Sequence, residues 1–237
     1  YKGRRMTKFI FDVDGTLTPS RGQIDKEFKT WFNIFCKEND VYLVTGSDRS
    51  KTIEQIGEDT YNLCKRAYQC SGNDVWQSDI HISTNDWILP EEPHEWLTGK
   101  LTESDFKIRT GLHFEHRPGM LNFSVVGRNA SQADRASYVE YEQHISERQI
   151  IAKMFNFAFP KLQATVGGET GIDIAPRGFD KSQILRDFED TDTIHFYGDA
   201  VFEGGNDKPL ADALMSFAQL GFSHQVRGWE DTWEKLK

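Results

Sequence analysis

Apolar residues in this chain gather into short runs that each end on glycine and polar residues. Residues 9–13 lead into Asp14-Gly15-Thr16, residues 41–44 into Thr45-Gly46-Ser47, and residues 193–197 into Gly198-Asp199. Runs of this length bounded by turn residues predict buried strands. After the first run, Ile24, Phe28, Trp31, Phe32 and Phe35 fall near helical spacing, so residues 25–37 are predicted as an amphipathic helix. Residues 50–56 form a second predicted helix after the second run. Strand, helix, strand, helix argues for a parallel sheet. The pattern changes over residues 79–175. Residues 120–126 alternate, with Leu121, Phe123 and Val125 on one face, and residues 132–155 read as one long helical stretch. Ser131 opens that stretch with capping-box spacing to Asp134. Residues 84–107, rich in Pro, Glu and Trp, carry no period that assigns their elements. After Pro176 the first rhythm resumes. The prediction is an α/β protein whose parallel-sheet core, residues 1–78 and 176–237, is split by an inserted α+β module, residues 79–175. Tyr1–Arg5 precede Met6 and are left out of the fold prediction.

Composition narrows the partners. The 237 residues are 38% hydrophobic and 13% aromatic, enough for one large domain or a core with a smaller module. A net charge of −9 argues against the basic stripe that nucleic acid or an anionic membrane requires. An anionic ligand would need cations concentrated locally. Cys36, Cys64 and Cys70 are odd in number and lack CxxC spacing, so neither a zinc site nor a disulfide framework is expected. Reduced thiols in a cytoplasmic protein are the expectation. No apolar stretch approaches the roughly 18 residues of a membrane span, and no secretory signal is visible.

The chemistry-bearing residues stand at the ends of the predicted strands, where open α/β sheets bind their ligands. Asp12 and Asp14 would point to opposite faces of a continuing strand, but a turn at Gly15 brings both into one crevice. Each piece alone has a plainer reading: an Asp-Gly turn, a strand end, a solvated lysine, a polar loop. Together, Asp-Val-Asp-Gly-Thr at 12–16, the hydroxyls Thr45 and Ser47, Lys181, and Asp199 with Gly204-Gly205-Asn206-Asp207 follow the order of the four motifs of the haloacid dehalogenase (HAD) superfamily. The chain resembles that superfamily, which implies a HAD-like Rossmannoid core with an inserted cap. The resemblance implies Asp12 as nucleophile in phosphoryl transfer and Asp14 as general acid and base. Thr45 or Ser47 would hydrogen-bond the phosphoryl group, and Lys181 would offset its charge. Oxygen-only ligands suit Mg2+, with Asp12, the Asp14 carbonyl and Asp199 as ligands and Asp207 close behind.

The inserted module carries Glu115-His116-Arg117-Pro118-Gly119-Met120-Leu121-Asn122, then Gly127-Arg128, then Arg135. Arginine binds phosphate bidentately and stays charged, which suits a second, non-reacting phosphate, although any one of these arginines alone reads as a solvated surface charge. This stretch is similar to the cap of the eukaryotic-type α-phosphomannomutases. So are residues 16–21, residues 167–174, Gly-x-Asp-Lys at 178–181 and the stretch 196–207. The resemblance implies a magnesium-dependent mutase that interconverts mannose 6-phosphate and mannose 1-phosphate, supplying the latter for GDP-mannose. A hexose 1,6-bisphosphate would serve as activator and intermediate. It implies Arg21, Arg117, Arg128, Arg135 and Asp173 as substrate-binding residues and a homodimer formed through the cap. The chain departs from the family's pattern at Gly171, where Ser is usual, at Pro118, where Asn is usual, at Val125-Val126, and over 208–212, where a second cation loop is poorly matched. Two readings compete with the mutase. One is a capped sugar-phosphate phosphatase, for which the same core motifs suffice. The other is a sugar-phosphate-binding regulator, which the intact Asp12, Asp14, Lys181 and Asp199 argue against.

Overall fold

The computed structural model describes residues 6–216 and 220–237, so Tyr1–Arg5 lie outside the described residues. The chain first lays down β1 (Thr7–Phe11), β2 (Asp40–Val44), β3 (Arg66–Gln69) and the hairpin β4 (Asp74–Gln77) and β5 (Ile80–Thr84). It leaves for a second sheet of β6 (Phe114–Arg117), β7 (Met120–Phe123), β8 (Leu162–Gly167) and β9 (Gly171–Pro176). It then returns for β10 (Thr193–Gly198) and β11 (Gly221–Gln225). The first sheet has the order β11-β10-β1-β2-β3-β4-β5, parallel through β3 and antiparallel beyond it. β1 is thus flanked by β2, reached on the way out, and β10, reached on the way back. Such a reversal of strand order opens a crevice at the carboxyl ends, and Asp12 follows β1 there.

Alternation along β1 builds two cores. Phe9 and Phe11 face α1 (Lys26–Glu38), which buries Phe28, Phe32 and Cys36, while Ile10 faces Ile184, Leu210 and Leu214 on the other side. Asp25 caps α1 by accepting from the Glu27 and Phe28 amides. Trp229 and Trp233 of the last helix stack on Phe28 and close the first core. α2 (Arg49–Ile56) and α3 (Glu58–Leu63) complete the layer between β2 and β3.

The second sheet, in the order β6-β7-β9-β8, is antiparallel throughout. Leu121 and Phe123 turn toward three helices, α4 (Glu91–Glu103), α5 (Gln132–Ile145) and α6 (Glu147–Ala158), and pack with Leu97, Tyr138, Ile151 and Phe155. The alternate residues of β6, β7 and β9 face the first sheet. α7 (Lys208–Met215) and α8 (Trp229–Leu236) follow β10 and β11.

Three sequence expectations change. β5 extends the first sheet to Thr84, six residues past the expected boundary at 78, because a hairpin adds β4 and β5 before the chain departs. The helical stretch 132–155 is two helices, broken where Ser146 adopts the left-handed conformation (φ 54°). Across that break the Arg148 amide donates to Glu142. The strand at 120–126 ends at Phe123. The capping box is formed, with Ser131 Oγ accepting from the Asp134 amide and the Asp134 carboxylate accepting from the Ser131 amide. All three cysteines are buried and free. No helix among the described residues is long and apolar enough to cross a membrane.

Candidate active site

Asp12, Thr45 and Asp199 each follow the last residue of a central strand, so the parallel sheet delivers them to one end. The Asp12 amide is anchored on the Tyr197 carbonyl (3.0 Å) and the Thr45 amide on the Tyr68 carbonyl (3.0 Å). Gly15, in the left-handed region, turns the loop tightly against the site, and a Cβ there would strike the Asp199 carboxylate. The Lys181 ammonium is fully buried and donates to Asp12 Oδ1 (2.8 Å) and Asp207 Oδ1 (2.7 Å). Asp207 Oδ2 accepts from the Ala200 amide (3.0 Å), so both its oxygens are engaged.

Asp12, Asp199 and Asp207 each place one carboxylate oxygen within 4.8 Å of the others. Three carboxylates and one lysine leave an excess of negative charge in a buried place. Burial drives the pKa of Asp12 well above the usual carboxylate range despite Lys181. Burial, reinforced by Asp207, pushes Asp199 up to about 6. Burial alone would lower Lys181, but Asp12 and Asp207 hold it above its ordinary value. An all-oxygen donor set with unbalanced negative charge fits a hard divalent cation such as Mg2+.

Asp14 lines the same cleft as Asp12. Its Oδ1 accepts from the Arg21 amide (2.6 Å) and Gln55 Nε2 (2.8 Å), and its Oδ2 accepts from Ser47 Oγ (3.2 Å). Thr45 Oγ1 accepts from the Ser47 amide (3.1 Å), closing the hydroxyl loop on itself. Arg21 reaches this position in the left-handed region (φ 55°), a conformation that costs a non-glycine residue roughly 1 kcal/mol or more.

The second sheet supplies the opposite wall. Strand pairing sets Glu115, Asn122, Asp173 and Thr165 in one row across its four strands. Glu115 accepts from Nε of Arg117 (3.2 Å) and from Nε of Arg128, which leaves terminal guanidinium nitrogens of both forks for a ligand. Burial opposes ionisation of Glu115, but the two arginines outweigh it and hold its pKa below the ordinary value. Arg135 pairs with Glu169 (3.1 Å), and Arg21, Arg117, Arg128 and Arg135 line one cleft with Asp12, Asp14, Thr45 and Ser47. Asp173 accepts from Asn122 Nδ2 at Oδ1 (2.8 Å) and from Asn206 Nδ2 at Oδ2 (3.0 Å). Further contacts join the two units: Arg117 Nη1 donates to the Gly46 carbonyl (2.5 Å), and the Val166 amide to the Gly204 carbonyl (2.7 Å). The nine predicted site residues other than Lys181, Asp199 and Asp207 therefore line this cleft, and those three form the charged cluster behind Asp12.

The profile of the eukaryotic phosphomannomutase family matches residues 29–237. The chain belongs to that family. The phosphomannomutase of Spinacia oleracea is 34% identical over 94% of this chain and 91% of its own length. That of Saccharomyces cerevisiae is 31% identical over 98% of this chain and 93% of its own. In fold the chain is similar to a HAD subclass IIB sugar phosphatase, at a TM-score of 0.58 and 12% identity over 98% of each chain. It is also similar to the trehalose-6-phosphate phosphatase C-terminal domain of C. albicans, at a TM-score of 0.58 and 15% identity over 90% of this chain and 75% of that one. These likenesses bear out the HAD-like α/β fold and the family resemblance.

Four residues that hold this family member's site together were not singled out from the sequence. Gln55 grips Asp14, Glu115 orients two arginines, and Asn122 and Asn206 clamp Asp173. Glu115, Asn122 and Asn206 lie inside the stretches that carry the resemblance, so position within those stretches was the available signal. Gln55 sits mid-helix, and only the fold brings it beside Asp14.

Proposed function

We propose that this chain interconverts mannose 6-phosphate and mannose 1-phosphate through a phosphorylated Asp12 and a hexose 1,6-bisphosphate intermediate. The observation that carries this reading is that one cleft holds Asp12, backed by Lys181, on one wall and the arginine group with Glu115 on the other.

An Asp12 carboxylate oxygen attacks the phosphorus of the bisphosphate, forming the P–O bond to aspartate as the bond to the sugar oxygen breaks. Asp14 delivers a proton to that departing oxygen and later takes one from the attacking hydroxyl of the other end of the sugar. Mg2+ held by Asp12, Asp199 and the Asp14 carbonyl would offset the charge of Asp12 against the phosphoryl oxygens. Asp207, with both oxygens engaged, is assigned the task of holding Lys181. Lys181 and Ser47 or Thr45 stabilise charge on the transferring group. Arg117, Arg128, Arg135 and Arg21 grip the distal phosphate, so the sugar can release one end and present the other. Core residues 6–84 and 177–237 then carry the chemistry, and the cap, residues 85–176, holds the substrate and excludes water.

A homodimer through the cap belongs to this proposal. Ile150, Met154 and Phe157 form an exposed apolar stripe on α6, with Phe157 91% exposed, and a second copy is the occupant proposed for it. A cytoplasmic location also belongs to it, supported by three free cysteines. The direct test is to acid-quench the protein after mixing with 32P-labelled hexose bisphosphate. Label retained on the peptide containing Asp12, and absent from Asp12→Asn, is the expected result. Label elsewhere, or none, would overturn it.

A further inference from the structure

Asn122 stands in the middle of the polar row on the cap sheet. Glu115, which holds the arginines, is on one side, and Asp173, which reaches the core through Asn206, is on the other. A ligand that spans from the arginines to Asp12 passes over this row. The Asn122 side chain lines the cleft and is only 4% exposed. Its Nδ2 is committed to Asp173 (2.8 Å), which fixes the amide so that Oδ1 is the free end. That Oδ1 is buried and has no hydrogen-bond partner among the described residues. Leaving a buried acceptor unpaired is costly, a penalty that a donor on a bound ligand would remove. The neighbours in the row, Glu115, Asp173 and Thr165, are acceptors or hydroxyls, so the surface as a whole suits a ligand rich in hydroxyl donors.

Gly171 makes this placement possible. A Cβ at residue 171 would come 2.5 Å from Asn122 Nδ2 and 3.0 Å from its Oδ1, closer than carbon contacts allow. The departure at Gly171 therefore does more than omit a hydroxyl, since it gives Asn122 room to lie against the strand and hold Asp173.

We propose that Asn122, seated against Gly171, is a specificity-determining residue whose Oδ1 accepts a hydrogen bond from a ring hydroxyl of the bound hexose phosphate. This rests on the hexose-phosphate reading above. It makes Asn122 a discriminating contact of the sugar ring, distinct from the arginines that grip phosphate.

The test compares kcat/KM for mannose 1-phosphate and its 2-, 3- and 4-deoxy analogues across wild type, Asn122→Leu, Gly171→Ala and Asp173→Asn. In wild type, one deoxy analogue should lose about tenfold or more, the cost of stranding a buried acceptor. That penalty should shrink to about threefold or less in Asn122→Leu, where no acceptor is left to strand, and in Gly171→Ala, where the methyl displaces the amide. It should shrink in Asp173→Asn as well, because without the carboxylate nothing holds the Asn122 amide with Oδ1 as its free end. Gly171 does not occupy the left-handed region, so the alanine adds contact without backbone strain and answers the question even if Asn122→Leu fails to fold. Equal deoxy penalties in wild type and the Asn122 and Gly171 variants would overturn the proposal while leaving the mutase reading intact. A wild type that does not turn over mannose 1-phosphate would overturn both.

Discussion

Lys181 lies wholly out of solvent between two carboxylates, with Asp199 close by, and the charges do not balance. A buried cluster of this kind is stable only if a further cation joins it or protons do. The raised pKa values of Asp12 and Asp199 express the second route. Millimolar Mg2+ should therefore raise the melting temperature at neutral pH, and an Asp199→Asn variant should lose most of that increase. A melting curve indifferent to Mg2+ would contradict the assigned cation site. On the opposite wall, Glu115 aligns Arg117 and Arg128 by their Nε edges. The double change Arg117→Ala with Arg128→Ala should lower kcat/KM for mannose 1-phosphate at least about tenfold more than for a small aryl phosphate, because charge-assisted bonds to the distal phosphate are lost only with the former. Equal losses on both substrates would argue against a distal-phosphate role. At this scale the sequence was informative for the core residues, since Asp12, Asp14, Thr45 and Lys181 stand in a recognisable order. It was less so for residues such as Gln55 and Asn206, whose partners are distant in the chain and meet only after folding.

Elements were legible where one face is apolar and the other polar. α1 runs Lys26–Glu38 against an expected 25–37, because its aromatic stripe sets a clear helical period, and the structure makes Asp25 its cap. The stretch 84–107 was opaque because α4 buries only Pro93 and Leu97, too few apolar positions to set a period. The break at Ser146 carries no strong sequence signal, and the left-handed backbone there, with the Glu142–Arg148 pair across it, divides the helices. One element pair carries its own pH signature. His195 of β10 and His224 of β11 share a hydrogen bond (2.9 Å) and stack among Phe9, Phe222 and Tyr197. Burial lowers the pKa of both, and for His224 the nearby His195 and Lys235 add to it. The unfolded chain then takes up protons before the folded one, so the stability these residues contribute is present above about pH 6.5 and is lost as pH falls through their lowered folded values. The paired change His195→Gln with His224→Gln should flatten the fall in melting temperature between pH 7 and about 5.5. An unchanged slope would show that the pair is not the source.

Taken as a whole, the molecule presents two walls to one cleft, the first sheet's with Asp12 and Asp14 and the second sheet's with Arg117 and Arg128, with contacts at Gly46, Gly204 and Asp173 drawing them together. The switch from α/β rhythm to antiparallel alternation revealed this division in the sequence. The expected boundary at 78 falls in the turn between β4 and β5, and strand alternation alone does not say which sheet a hairpin joins. The exposed stripe on α6 sets an expectation for assembly: light scattering should give a dimer, and Phe157→Glu should shift it toward monomer. A monomeric wild type would remove the dimer from the account. The HAD likeness in fold is shared with phosphatases, so the fold does not by itself choose between water and a sugar hydroxyl as the acceptor. The arginine wall supports the sugar, because a phosphate that stays gripped keeps the intermediate in place for its second reaction. The measurement that tests this most directly is the product partition from mannose 1-phosphate with Mg2+ and catalytic glucose 1,6-bisphosphate. The account predicts mannose 6-phosphate with little free phosphate. Stoichiometric free phosphate and mannose would contradict it and make the protein a phosphatase.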